Sequence, residues 1–577
     1  MAVISERPAE RHRERSDPGT RRPPAGARLL RSGPWVVLAL LLALLVVGPL
    51  VRLEWRAFEG GAEAFGRMFA LPNIGSIFAN TLIVAVGSVA FAVPAGTALA
   101  LLTLRLPRAL RGIMGLLPIV PLMLPPVAKV AAWSYLVSPR TGLVNTTLRS
   151  LGIGSGGTGP LDVFTMTGIV LVSGLSMTSF VFLFVHASLQ QRGAELEAAA
   201  AASGAGPWRV LWTVTLPLLR PPIVYATGIT FLLALGQFTA PLLLGAPKNI
   251  DVLSTIMYRV SAEYPVDYSL GAALALPLLV VGLLVIGVQR RVLGDERRYA
   301  ATSGRARIVG LRTSWWAVVP VGVYLLLAVV LPLFTLIAVS LSPYWSGRIE
   351  PSTFSLDGWA AALADPATGQ AVGTTAQAVG ITVVIAVPLG YLCALALLTR
   401  TRVPAAVRRV IDFVSGLSLA LPAVLMGFAL LLTYSTPPLR LYGTTAMVVV
   451  AYVTLMIPHA IRPQLTSLMA TGPEYGEASR ASGAGPLATT WRVGLPMARS
   501  GIGVAVSLVV ILAIHEFAVS VMVTSPGRRV IGSLLYDATN FGTAPQVAVI
   551  ALLMVAITTV GIVAALLVGG SRALDRV

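Results

Sequence analysis

The chain alternates between long apolar runs and short polar segments. The runs are about as long as a helix needs to cross a bilayer's hydrocarbon core, roughly 20 residues. Twelve are read at 34–52, 80–103, 113–136, 164–187, 222–242 and 269–288, then at 316–340, 375–398, 411–434, 444–460, 502–523 and 546–569. Each predicts a spanning helix, because a backbone in lipid must satisfy its own polar groups. The long polar stretch 289–314 reads as a linker joining two sets of six. The expected fold is all-α and transmembrane, with halves at 34–288 and 315–570 and a short C-terminal end at 571–577. Residues 1–33 carry eight arginines and several prolines but no apolar run, and read as a disordered basic tail. Arg52, Glu54 and Trp55 follow the first run in place of a small-residue cleavage site, so it reads as a retained span.

Composition agrees with this pattern. Hydrophobic residues make up 56% of the 577 and charged residues only 12%, about half the charged share of a soluble protein. The net charge of +19 first suggests a nucleic-acid partner, but the basic residues sit in short segments between apolar runs, with no soluble basic domain to hold nucleic acid. With the N-terminus inside, inward segments hold 31 of the 43 Lys and Arg and outward segments 11. That excess predicts a multi-pass inner-membrane protein with both termini cytoplasmic. An even number of spans per half then gives both halves the same orientation, as parallel repeats.

The repeat is also visible in the residues. Ser203-Gly204-Ala205-Gly206-Pro207 recurs as Ser482-Gly483-Ala484-Gly485-Pro486, 279 positions later, and Leu216-Pro217 recurs as Leu495-Pro496 at the same offset, with Phe238 matching Phe517. Val93-Pro94-x-Gly96 in the second run echoes Val387-Pro388-x-Gly390 in the eighth. A single Gly-rich turn is common punctuation, whereas the same register in equivalent loops marks an internal duplication. Each loop has a helix-favouring stretch, then Gly-x-Gly-Pro, then a short run ending in Leu-Pro. This predicts a helix, a sharp turn and a second helix.

Glu-Ala-Ala-x-x-x-Gly followed by an apolar-x-Leu-Pro resembles the EAA loop of type I ATP-binding-cassette importer permeases. In that family such a loop docks on an ATPase subunit. The resemblance implies a fused permease with two coupling loops, one with Glu197, Ala199, Gly204, Gly206, Pro207, Leu216 and Pro217, the other with Glu477, Ala478, Gly483, Gly485, Pro486, Leu495 and Pro496. The second loop has the family spacing. In the first, Ala198 stands where the glutamate belongs and Glu197 lies one residue earlier, which implies a weaker grip. Implied partners are two copies of the ATPase, an extracytoplasmic binding protein, a small solute and the bilayer. Residues 231–258, 296–305 and 515–536 resemble the ferric-iron permease group in particular. Permeases for thiamine, polyamines, phosphonates or molybdate share much of this pattern.

No catalytic, metal or cofactor site is expected. Neither Lys129 nor Lys248 follows a glycine, so no P-loop is present and ATP hydrolysis falls to a separate protein. Cys393 is the one cysteine, and His12, His186, His459 and His515 are scattered without metal-ligand spacing. Among the ionisable residues inside the runs three stand out, Lys129 in the third and His515 and Glu516 in the eleventh. Such groups are costly in lipid and point either to a polar path or to structural pairing. Glu516 aligns with Gln237 at the 279-residue offset, so Gln237, His515 and Glu516 form a candidate pore or gate. An ion-coupled secondary transporter is the rival class, with Glu516 as its chief acid. Asn80 and Asn145 read as helix caps, and Pro94, Gly96, Pro125, Pro126, Pro388 and Pro422 as shapers of kinks and close contacts.

Overall fold

A computed structural model describes residues 25–115, 117–154, 157–190, 195–293, 313–399, 403–470, 474–525 and 527–569. Most of the tail, most of the 289–314 linker and the 571–577 end lie outside these residues. Among the described residues every regular element is a helix. Eight helices are long and apolar enough to cross a membrane, or up to twelve if each of four bent pairs is one span.

In chain order the first half comprises α1 (Ala25–Phe58), α2 (Ile74–Thr103), α3 (Ala109–Met123 with Pro126–Val137), α4 (Met166–Gln190), α5 (Arg220–Leu235) and α6 (Tyr268–Leu293). The second half comprises α7 (Trp315–Leu341), α8 (Pro366–Leu398), α9 (Ala405–Leu419 with Ala423–Ser435), α10 (Thr445–Ala470), α11 (Arg499–His515) and α12 (Ala544–Gly569).

Three readings are corrected in detail. Helix α1 reaches back to Ala25, so residues 25–33 are helical rather than tail. Helices α3 and α9 carry the kinks expected at Pro125, Pro126 and Pro422, but as bends of 96° and 110° that divide each run into two segments. The bends fall at Leu124-Pro125-Pro126 and Leu421-Pro422, where proline removes a donor and drives the preceding residue out of helical geometry. Runs 222–242 and 502–523 also break: α5 stops at Leu235 and α11 at His515, and the chain resumes helically at Pro241–Gly245 and Ala518–Val523.

Within each half the closest packing is α2 on α4 and α8 on α10. The Val-Pro-x-Gly repeat explains it. A Cβ on Gly96 would lie 2.7 Å from the Val181 Cβ, and one on Gly390 2.7 Å from the Ala460 Cβ. Between halves the exchange is reciprocal: α1 packs on α9, and α7 packs on the second segment of α3. Arg52 of α1 donates to the Thr433 carbonyl and, at 2.7 Å, to Thr436 Oγ1 at the end of α9. Tyr324 of α7 and Ser179 of α4 share a buried 2.7 Å hydrogen bond. The halves are thus locked by their first helices, which leaves the other faces to form a central axis.

Two short helices, Leu253–Ala262 and Ile531–Phe541, follow the breaks after α5 and α11. The N-terminus of each is held the same way. Thr255 Oγ1 accepts the Val252 N–H, and Ser533 Oγ accepts the Val530 N–H. The next N–H, of Leu253 or Ile531, donates at 2.9 Å to Thr81 of α2 or Thr375 of α8. The ion pair Asp251–Arg259 of the first half recurs as Arg529–Asp537 in the second, with its polarity reversed. Asn80 caps no helix: it lies inside α2 and donates to the Asp251 carbonyl. Asn145 is no cap either, because it ties Val137, Ser138 and Leu161 together through its carboxamide.

Candidate functional site

Both Gly-rich loops form the helix, turn and helix that their spacing predicts. Glu195–Ala202 and Glu474–Ala481 are the leading helices. They end at Gly204 (φ +83°) and Gly483 (φ +84°), a left-handed conformation that glycine adopts without penalty. The terminal carbonyls are closed identically. Gly204 N–H donates to Ala201 O and Ala205 N–H to Ala200 O, both at 3.0 Å, while Gly483 N–H donates to Arg480 O at 3.0 Å and Ala484 N–H to Ser479 O at 3.1 Å. This paired closure is the Schellman motif. Ala199 and Ala478 are exposed, and their carbonyls accept the Ser203 and Ser482 hydroxyls.

The second helices start at Pro207 and Pro486, where Gly206 and Gly485 accept the first intrahelical N–H. Each then widens for one turn into π-helix, at Leu211–Thr215 and Thr490–Gly494, before the Leu-Pro pairs Leu216-Pro217 and Leu495-Pro496. After those pairs the chain turns by 63° into α5 and by 69° into α11. Leu495 packs with Tyr391, Leu468 and Ala498 at the base of the second loop. Leu196, Trp208 and Trp212 of the first loop, and Tyr475, Leu487 and Trp491 at the equivalent positions of the second, are all exposed. Each loop therefore offers an apolar surface beside its turn.

The carboxylates differ. Glu197 is partly buried and accepts the Thr215 hydroxyl at 2.6 Å, so it is turned onto its own loop. Glu477 is exposed. Gly494 replaces Thr215 in the second loop, and a Cβ there would lie 2.9 Å from the Tyr391 hydroxyl.

On the central axis, Gln237 and Glu516 each serve the break after their own span. Gln237 Oε1 accepts the Phe238 N–H at 3.1 Å, and Glu516 Oε1 accepts the Val519 N–H at 2.9 Å. His515 is buried with its Nε2 3.1 Å from Thr558 Oγ1 of α12. The residues that meet between the halves are the next ones along. Phe238 and Phe517 stack with centroids 5.5 Å apart and planes 26° from parallel. Tyr258 and Tyr536, from the two short helices, meet edge-on at 5.8 Å and each packs on its own half's phenylalanine.

Four aromatic rings thus fill the axis, and Phe238 and Phe517 are each only 2% exposed. Burial, reinforced by the neighbouring Tyr536, holds the Tyr258 phenol above its usual range, so it stays neutral. In sequence Phe238 and Phe517 served only as markers of the repeat. The signal that could have found the cluster is the near-equal offset of Tyr258 and Tyr536. Among the described residues no group of three or more His, Cys, Asp or Glu could hold a metal ion.

Residues 92–295 and 386–572 match, as two repeats, the family described as binding-protein-dependent transport system inner membrane component. Among curated relatives, the probable ABC transporter permease protein y4fN of Sinorhizobium fredii is 25% identical over 404 residues, 67% of this chain and 68% of that protein. The ferric transport system permease protein FbpB of Actinobacillus pleuropneumoniae is 24% identical over 481 residues, 81% of this chain and 67% of the relative. The molybdenum transport system permease protein ModB of Mycobacterium bovis is 30% identical over 272 residues, which is 46% of this chain and 97% of that protein.

Proposed function

The chain belongs to the family of inner membrane components of binding-protein-dependent transport systems, and from that premise we propose how its two halves carry out ATP-driven import. One polypeptide supplies both permease halves, and two copies of a separate ATPase dock on the loops around Gly204 and Gly483. The observation that carries this reading is the identical turn in the two loops at one sequence offset, each flanked by exposed apolar side chains. Both loops lie on the arginine-rich side, which supports cytoplasmic termini and cytoplasmic docking.

An extracytoplasmic binding protein delivers the solute to the opposite face. The path lies on the axis between the halves, where Phe238, Phe517, Tyr258 and Tyr536 close it in this state. Closure of the ATPase pair, passed through the loops into α5 and α11, parts the rings by rocking the halves. Gln237 and Glu516 hold the chain breaks that carry these rings, a positioning role in the gate.

The solute we propose is ferric iron. The support is the ferric permease relative, aligned over 81% of this chain and hence across both halves. Membrane vesicles carrying the full chain with its ATPase and binding protein would be assayed for uptake of radiolabelled iron. Uptake is expected to require ATP and both partners, and the complex should have the mass of one permease with two ATPases. Uptake that survives loss of the ATPase but collapses with a proton uncoupler would replace this reading with a secondary transporter. ATP-driven uptake of another solute in place of iron would remove the iron assignment alone.

A further inference from the structure

The first half contains a cavity of about 210 Å³ whose lining includes Pro126 and Lys129 of α3, Ser173 and Ser176 of α4, and Gln237 and Thr239 after α5. Its α4 residues come from the middle of that helix, so the cavity lies at mid-membrane depth. Three of its polar side chains, Lys129, Ser173 and Gln237, can donate into it, whereas the Ser176 hydroxyl donates to the Val172 carbonyl at 3.0 Å.

Lys129 is only 9% exposed, and its Nζ donates to the Pro121 carbonyl at 3.2 Å. An ammonium has three donors, and among the described residues no carboxylate lies within ion-pair distance of this one. The Ser173 hydroxyl is buried with no hydrogen-bond partner among the described residues. Gln237 has its Oε1 engaged by the Phe238 N–H, so it can offer a ligand its amide N–H groups. Pro126 begins the 12-residue second segment of α3, whose N-terminal dipole end therefore adjoins the cavity.

A buried ammonium without a counter-charge is costly, and an unpaired buried hydroxyl adds to that cost. We propose that this cavity is an anion site, in which Lys129, Ser173 and Gln237 receive the negatively charged oxygens of the crossing solute. The role in transit rests on the importer reading above, whereas the binding itself does not. A bare trivalent cation is repelled here. Iron would then cross as an anionic oxygen-donor chelate, unless the solute is itself a free oxyanion. The site is single. The second half reads Leu421-Pro422-Ala423-Val424 where the first reads Leu124-Pro125-Pro126-Val127, and Met426 stands in place of Lys129.

The test is equilibrium binding to the full-length chain in lipid nanodiscs, with no ATPase or binding protein present. Radiolabelled molybdate and ferric citrate serve as separate probes. At least one should bind at one equivalent and weaken by about tenfold or more in Lys129→Met, as expected for loss of a charge-assisted contact. Lys129→Arg should retain most of the binding, Ser173→Ala should weaken it a few-fold, and the outer-loop Lys248→Met should leave it unchanged. Molybdate binding alone assigns a free oxyanion, ferric citrate binding alone assigns a chelate, and either supports the site. If neither probe binds, or if Lys129→Met binds as wild type does, the site is refuted. Should Lys129→Met fail to fold, undiminished binding in Ser173→Ala would refute it instead. Because no ATPase is needed, loss of the importer reading in the uptake assay would leave this result standing, and the reverse also holds.

Discussion

The first loop turns Glu197 inward onto the Thr215 hydroxyl, while the second leaves Glu477 exposed and has Gly494 where Thr215 would be. The backbones hardly differ: Gly204 and Gly483 lie within 1° of each other in φ, and each turn is closed by the same pair of hydrogen bonds. The comparison teaches that glycine and proline hold the frame while the side chains on it diverge. A frame built twice can therefore grip two identical partners with unequal strength, because the outward carboxylate is available to a partner and the inward one is already committed.

Reversing the outward charge should have the largest effect. Glu477→Lys is expected to lower ATPase co-purification and uptake by about tenfold or more, the equivalent of losing one charge-assisted hydrogen bond, while membrane levels stay normal. Full coupling in this variant would break the comparison at its root. Strain at the turns comes next. Gly204→Val and Gly483→Val each force a branched side chain into the left-handed region, at about 1–2 kcal/mol. ATPase retention should fall by similar factors in both, since the two backbones match. A loss confined to one loop would mean that the shared frame is not what the partner reads.

Ala198→Glu should act in the opposite direction. It restores a carboxylate at the exposed position equivalent to Glu477, with little cost to an exposed helix. ATPase retention should rise a few-fold, most visibly at raised salt or in a Glu477→Gln background. No gain would show that the asymmetry does not reside in the carboxylate register. The smallest effect is expected from Thr215→Val, which removes a hydrogen bond worth about 1 kcal/mol and frees Glu197. Stability should drop slightly with uptake nearly unchanged, as thermal unfolding and transport measured on the same preparation would reveal.

The pairs Asp251–Arg259 and Arg529–Asp537 carry the same lesson on the opposite face, because the geometry is kept although the charges have changed places. Such half-exposed pairs contribute at most about 1 kcal/mol each, so they serve more to orient the short helices that carry Tyr258 and Tyr536 than to hold the fold together.

Apolar run length alone located the spans, because lipid obliges each crossing segment to close its own hydrogen bonds. Gly-x-Gly-Pro and Leu-Pro were enough to write both loops, since a left-handed glycine and a proline in the first turn act within a few residues. Pro125, Pro126 and Pro422 read as kinks, but not as bends of 96° and 110°. Whether a proline kinks a span or folds it back depends on what packs against the break, such as Gly236 on Pro422. The same holds for the axis. Phe238 stacks on Phe517, Glu197 takes the Thr215 hydroxyl, and Lys129 shares a cavity with Ser173. The side chains in these groupings lie on different elements, and only the packing of those elements brings them together. Sequence periodicity carries local geometry, whereas such meetings depend on how whole helices dock, which no short window of residues records.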